Sequence, residues 1–122
     1  MITDLLFCPV RMAPEIMQQV DYDGKADIWS LGISCLEMAN GAPPHFGIHP
    51  LGVMKLITSQ PPPTLDGDQF SKSFKEFVAM CLVKAPEFRP SVSTLLRHSW
   101  IKKAGKLNAI RQMFPTAATN KK

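Results

Sequence analysis

Hydrophobic residues recur with helical spacing along most of this chain. The most apolar segment carries two apolar faces, formed by Ile28, Leu31, Cys35 and Met38 and by Trp29, Ile33, Leu36 and Ala39. Because these faces cover most of its circumference, the pattern predicts a helix that is buried on nearly all sides, at the centre of the fold. Asn40-Gly41 is predicted to end this helix, since glycine readily adopts the left-handed conformation found just after a helix C-terminus.

Two further helices are predicted in the middle of the chain. A short helix is expected over Pro50 to Thr58, followed by a non-helical segment that contains Pro61-Pro62-Pro63. Five apolar residues then recur at i, i+3, i+4, i+7 and i+8, as on one face of an amphipathic helix: Phe74, Phe77, Val78, Cys81 and Leu82. Ser71 or Ser73 is expected to cap this helix at its N-terminus.

The helical pattern continues towards the C-terminus. Pro86 and Pro90 bracket a predicted turn, and Ser91 is predicted to cap the helix that follows. That helix carries three apolar residues on one side: Val92, Leu95 and Leu96. Trp100 and Ile101 are expected to pack back against the body. Since no segment alternates polar and apolar residues long enough to predict a strand, the predicted fold class is all-α, in a single domain.

Composition is that of a small globular protein. The chain has 122 residues, of which 45% are hydrophobic and 20% are charged. No apolar run reaches the length of a membrane span, and the first residues lack the basic leader of a secretory signal. The three cysteines, Cys8, Cys35 and Cys81, show no metal-ligand spacing. We therefore expect a reduced, intracellular protein, located in the cytoplasm and not in a membrane.

Positive charge is concentrated near the C-terminus. Residues 1–99 contain eight Lys and Arg against ten Asp and Glu, whereas residues 100–122 contain six Lys and Arg and no acid. A weak helix is predicted from Gly105 to Met113. The favoured interpretation of residues 103–122 is a solvated basic tail. Nucleic-acid or acidic-lipid binding is the disfavoured alternative, because Phe114 is the only aromatic residue among the tail lysines.

Residue chemistry alone does not identify an active site. The seven glycines form no phosphate-binding pattern, and the three histidines are isolated from one another in the sequence. Cys8 has no local signature of a catalytic nucleophile. Asp66 and Asp68 lie in a proline-rich loop, where carboxylates form turns far more often than they bind metals. No metal site is therefore expected.

Glu15 and Arg89 are charged residues in apolar surroundings. Glu15 follows Ala13-Pro14, and Arg89 lies between Pro86 and Pro90, next to apolar helices. Buried charges are tolerated when they pair, best through parallel hydrogen bonds between a guanidinium and a carboxylate. From spacing alone, exposure of both side chains to water is the favoured interpretation.

Three motifs occur in the order and spacing of the C-terminal lobe of eukaryotic protein kinases. They are Met12-Ala13-Pro14-Glu15, Asp21-Tyr22-Asp23-Gly24-Lys25-Ala26-Asp27-Ile28-Trp29-Ser30-Leu31-Gly32 and Cys81-Leu82-Val83-Lys84-Ala85-Pro86-Glu87-Phe88-Arg89-Pro90. The second motif and Pro61 to Leu65 look most similar to germinal-centre (sterile-twenty-like) serine/threonine kinases. The resemblance implies the helical C-terminal lobe of the kinase fold, without the N-terminal β lobe. It divides the chain into a non-matching segment 1–8, a partial kinase lobe 9–102 and the basic tail 103–122.

The resemblance also implies roles for individual residues. Residues 13–15 match the end of the kinase activation segment, and Glu15 with Arg89 matches the buried ion pair that anchors it. Asp27 matches a buried carboxylate that accepts hydrogen bonds from backbone amides of the catalytic loop. The structural motif residues identified in this way are Ala13, Pro14, Glu15, Asp27, Trp29, Gly32 and Arg89.

Cys8, Pro9 and Val10 stand where the family has the loop that receives the substrate residue after the phosphorylated one. The family pattern there is Gly-Thr-Pro, an aromatic residue, and then Trp or Tyr. This chain keeps only the proline, and Arg11 takes the position of the last aromatic residue. The resemblance thus implies a degraded substrate-binding site.

The nucleotide-binding and catalytic motifs of the family would all precede Pro9. These are the glycine loop, the strand lysine, the His-Arg-Asp loop and the Asp-Phe-Gly metal ligand. ATP and Mg are cofactors of the parent family, whose members transfer the ATP γ-phosphate to Ser and Thr of protein substrates. No cofactor is expected for this chain, and we expect it to be inactive by itself.

Three interpretations follow from the resemblance. The favoured one is a remnant or incomplete gene model of a serine/threonine kinase, whose natural partner is the missing kinase lobe. The second is a non-catalytic, pseudokinase-like module that binds protein partners through the helix around Leu51 to Ile57 and through the face left open by the missing lobe. The third and least favoured is nucleic-acid binding through the tail.

Overall fold

The computed structural model describes residues 9–18 and 24–105, which form helices joined by loops. The α-helices are α1 (Pro14–Met17), α2 (Lys25–Asn40), α3 (Pro50–Ser59), α4 (Lys72–Cys81), α5 (Val92–Leu96) and α6 (Ser99–Lys102), with 3₁₀ turns at Pro9–Arg11 and Pro86–Phe88. No β-strand occurs in these residues, which agrees with the all-α prediction, and none of their helices is long and apolar enough to cross a membrane. The helix predicted from Gly105 to Met113 falls, after its first residue, outside the described residues.

Helix α2 is the centre of the core. Its side chains Trp29, Ile33 and Leu36 each expose no more than 2% of their surface. The helix ends where the sequence predicts, because Gly41 adopts a φ of 85° and donates its N–H to the carbonyl of Glu37 at 2.8 Å. The apolar pattern therefore predicted the central position of this helix, and Asn40-Gly41 predicted its C-terminus.

One side of α2 is open to solvent, and the prediction of burial nearly all round is wrong there. Leu31 is 41% exposed and Met38 is 73% exposed, and Asp27 is exposed as well. At 3.6 residues per turn these three positions lie within about 40° of one another around the helix. They form a single stripe, here called the open stripe, which the described helices do not cover.

Helices α2 and α4 pack against each other at Gly32. A Cβ atom built at this glycine would lie 2.7 Å from Cβ of Cys81 and 2.8 Å from Cδ2 of Leu82, closer than carbon atoms of real side chains approach. Only glycine therefore permits this packing distance. At the other end of α4, Ser71 is the N-cap, since its Oγ accepts a hydrogen bond from the N–H of Phe74 at 3.2 Å.

The C-terminal segment packs back on α4, as predicted. Trp100 stacks on Phe74, with ring centroids 4.5 Å apart, and its ring lies 4.8 Å from that of Phe77. In α5, however, only one residue of the predicted apolar side is buried. Leu95 faces the core, whereas Val92 and Leu96 are exposed, because this one-and-a-half-turn helix presents a narrow face to the interior.

Candidate functional site

The first and third kinase-like motifs meet in a buried ion pair. Arg89 donates from Nη1 to Oε2 of Glu15 at 2.9 Å and from Nη2 to Oε1 at 3.0 Å. Arg89 is 2% exposed and Glu15 is 4% exposed. The interpretation in which both side chains face water is therefore wrong, and the ion pair implied by the kinase resemblance is confirmed.

Arg89 uses all of its N–H groups. Besides the two hydrogen bonds to Glu15, Nε donates to the carbonyl of Val83 at 2.7 Å. Nη1 donates to the carbonyl of Lys25 at 2.6 Å, and Nη2 donates to that of Lys84 at 3.0 Å. A guanidinium has five N–H donors, so none is left without an acceptor in the interior. These bonds offset the cost of burying the charge, and they make Arg89 the junction of three chain segments.

Other motif residues surround this junction. The guanidinium carbon of Arg89 lies 5.5 Å from the ring centroid of Trp29, within the range of a cation–π interaction. Ala13 and Pro14 are buried and lead into α1, which places Glu15 in the first turn. Together these contacts hold the Ala-Pro-Glu segment against the N-terminal half of α2.

Asp27 lies in the first turn of α2, but its side chain is exposed. No side chain or backbone group of the described residues hydrogen-bonds to its carboxylate. The expected burial is wrong for this part of the chain, because none of the described elements packs over the open stripe. Its function as an acceptor for amides of a catalytic loop stays a prediction.

The residues predicted to contact a substrate peptide are only partly described. Cys8 lies outside the described residues, and Pro9 begins the first 3₁₀ turn. Val10 is half-buried and packs against the core, where it lines a cavity of about 10 Å³ together with Trp29. The side chain of Val10 therefore contributes to the core of the protein.

One ion pair beside these residues was not predicted from the sequence. Arg11 donates from Nη2 to both carboxylate oxygens of Glu37, each at 2.7 Å, and from Nε to Oε1 at 3.0 Å. The hydroxyl of Ser30 donates to the carbonyl of Arg11 at 2.9 Å. Arg11 and Glu37 are 26 positions apart, and no motif links them. The only signal in the sequence is a charged residue at a position where the family carries an aromatic one.

The described residues do not fit ATP or magnesium. No group of three or more His, Cys, Asp or Glu side chains that could hold a metal ion occurs in this part of the chain. Residues 9–18 and 24–105 also contain no glycine pattern of the kind that surrounds nucleotide phosphates. No step of phosphoryl transfer is therefore assigned to these residues.

Cys81 is expected to resist alkylation in the folded chain. Burial raises the pKa of its thiol to about 12, with a further contribution from nearby Cys35, whose own pKa burial also raises. Because the thiolate is the reactive form, iodoacetamide should label Cys81 at pH 8 about a thousandfold more slowly than an exposed cysteine. Peptide mass spectrometry measures this rate, with urea-unfolded chain as the control. Equal labelling rates in native and unfolded chain would contradict the buried position.

Comparisons with known proteins agree with this geometry. The family model described as "Protein kinase domain" matches residues 3–101. The "Serine/threonine-protein kinase 4 homolog A" of Dictyostelium discoideum is 50% identical over 99 residues, which cover 79% of this chain and 22% of that protein. The "Serine/threonine-protein kinase ppk11" of Schizosaccharomyces pombe is 42% identical over 115 residues, which cover 94% of this chain and 37% of that protein. This chain thus spans between about a fifth and just over a third of these relatives. Because the family match extends over most of the chain, the chain belongs to the protein kinase domain family.

Proposed function

We propose that this chain is the helical, substrate-side part of a serine/threonine protein kinase. In this proposal it takes part in transfer of the ATP γ-phosphate to protein hydroxyls only when joined to a segment that binds nucleotide. The observation that carries the proposal is the fully hydrogen-bonded Glu15–Arg89 pair, which holds the Ala-Pro-Glu segment against α2. A charge pair with every donor satisfied is a specific arrangement, and it supports a retained kinase architecture.

Positioning accounts for most of the catalysis of phosphoryl transfer. The residues of this chain would contribute by anchoring the end of the activation segment through Glu15 and Arg89. The nucleotide, its magnesium ions and the catalytic aspartate would be held by the motifs that precede this region in the family. By itself the chain is proposed to be inactive.

The open stripe supports a partner that covers α2. An exposed carboxylate at Asp27 is next to apolar Leu31, with Met38 two turns further along the helix. A loop with free backbone N–H groups and an apolar side would satisfy both features at once. The proposed partner is therefore the rest of the kinase domain, in an intracellular setting that we place in the cytoplasm. The free thiols of buried Cys35 and Cys81 are consistent with reducing surroundings.

Fusion to a relative tests this proposal. The segment that precedes the matching region in the Dictyostelium relative would be joined to this chain at Pro9, and phosphate transfer from radiolabelled ATP to myelin basic protein would be measured. We expect transfer by the fusion and none by the chain alone. A fusion that folds cooperatively but transfers no phosphate would contradict the proposal.

Replacing Asp27 with alanine separates function from stability. Since the side chain is exposed, Asp27→Ala should change the unfolding free energy of the chain alone by less than about 0.5 kcal/mol. In the fusion it should lower kcat at least about a hundredfold, because a catalytic loop without its anchor is misplaced. Asp68→Ala, which removes another exposed carboxylate, is the matched control. Equal kcat values for the two variants would exclude the proposed contact.

A second candidate function is a non-catalytic module that binds proteins. It is favoured by exposed apolar side chains at the start of α3 and just before it, namely Phe46, Ile48 and Leu51. If this function is correct, the purified chain should be monodisperse and should melt cooperatively. An aggregating product without a cooperative transition would count against it.

A further inference from the structure

The contacts of Arg11 with α2 point to a second anchor of the segment that carries the Ala-Pro-Glu motif. We propose that the Arg11–Glu37 pair is a releasable latch that holds Pro9–Met12 on α2. This inference rests on the proposed function, because Pro9 and Val10 belong to the segment that would receive a substrate peptide. In this chain the latch would position that segment through Arg11, which stands where the family has an aromatic residue.

Both the side chain and the backbone of Arg11 are fixed on α2. Three hydrogen bonds of 2.7–3.0 Å join its guanidinium to Glu37 near the end of the helix. Ser30, two turns earlier, donates to its carbonyl at 2.9 Å. A planar guanidinium in this arrangement fixes orientation as well as distance, which a lysine in the same position would not do. The segment is therefore held in one register along α2.

The segment held by the latch lies beside Trp29, a deeply buried aromatic residue of the core. Val10 lies next to Arg11 and lines a cavity of about 10 Å³ with Trp29, a volume that holds about one water molecule. Trp29 is 1% exposed, and its indole N–H has no hydrogen-bond partner among the described residues. If Pro9–Met12 lifts from α2, water gains access to this indole. Release of the latch is therefore visible in the fluorescence of Trp29.

The two anchors of the segment differ in strength. The Glu15–Arg89 pair is shielded from solvent, whereas the side chains of Arg11 and Glu37 are 36% and 32% exposed. Partly exposed pairs are weaker and are screened by salt. The Glu15–Arg89 pair should therefore stay closed under conditions in which the Arg11–Glu37 pair opens, and Pro9–Met12 can then move without unfolding of the core.

Acrylamide quenching of the full chain tests the latch. Trp100→Phe in all samples leaves Trp29 as the only tryptophan. We expect Arg11→Ala and Glu37→Gln each to raise the quenching constant about fivefold, while amide exchange of α4 changes less than twofold. Sodium chloride at 1 M should raise the quenching constant of the parent chain by the same factor. It should not raise the quenching constant of Arg11→Ala any further. The matched control is Arg97→Ala, an exposed arginine whose side chain makes no hydrogen bond with the described residues.

A charge exchange supplies the decisive comparison. The double variant Arg11→Glu with Glu37→Arg should return the quenching constant to within twofold of the parent. The latch is overturned if quenching is unchanged in Arg11→Ala, if the double variant is quenched as strongly as the single ones, or if quenching and α4 exchange rise together. These readouts use the chain alone. They can therefore fail while the fusion still transfers phosphate, which separates the latch from the proposed function.

Discussion

Arg89→Ala is expected to lower the unfolding free energy of the chain by about 3–5 kcal/mol. The substitution leaves the Glu15 carboxylate charged and buried, and it removes the donors of three backbone carbonyls. A small domain has about 5–15 kcal/mol of stability in total, so much of the population should unfold at 37 °C. Urea denaturation followed by far-UV circular dichroism measures the change.

Companion variants separate charge from geometry in this test. Arg97→Ala, at an exposed arginine, should change stability by less than about 0.5 kcal/mol. Arg89→Lys keeps the charge but loses the planar fork, and it should still cost about 2 kcal/mol or more. A loss below about 1 kcal/mol for Arg89→Ala would contradict a buried and fully bonded pair.

Gly32→Ala is expected to lower the unfolding free energy by about 1–3 kcal/mol, although alanine favours helices. Its methyl group would lie within 3.0 Å of atoms of both Cys81 and Leu82, so α2 and α4 must move apart. Gly24→Ala is the matched control, since nothing lies within 4 Å of a Cβ at that position. Equal stability of the two variants would show that α4 does not pack on α2 as described.

The helices could be predicted because local chemistry specifies them. Gly41 supplied the left-handed residue that ends α2, and the apolar period of 74–82 predicted a helix observed at Lys72–Cys81. The sequence predicts either Ser71 or Ser73 as the N-cap of that helix. The structure shows Ser71, and this choice depends on backbone geometry that residue spacing does not specify. Such features depend on neighbours within a few positions.

Which helix faces are buried could not be predicted in the same way. Leu31 and Met38 are as apolar as the core residues of α2, yet they are exposed. A hydrophobic pattern identifies surfaces that favour burial, but it does not state which neighbours lie against them. For Asp27 the expectation of burial came from the kinase resemblance, which implies a catalytic loop over this side chain, and it is exposed because none of the described elements packs there.

The candidate site could not be predicted from local patterns, because it is formed by contacts between residues far apart in the sequence. Glu15 and Arg89 are 74 positions apart, and physical reasoning from spacing favoured two solvent-exposed charges. The kinase resemblance predicted the pair because it relates positions that local chemistry does not connect. At Arg11 this chain departs from the family, and neither residue spacing nor the kinase resemblance predicted its contact with Glu37.

We propose that this chain supplies the substrate side of a kinase and not its nucleotide site. Equilibrium dialysis of the full chain against radiolabelled ATP with magnesium tests it most directly, with the fusion to the Dictyostelium segment as the positive control. We expect saturable binding by the fusion and none by the chain alone up to about 1 mM ATP. Saturable binding by the chain alone, with a Kd below about 100 μM, would show that this chain holds a nucleotide site and would contradict the proposal.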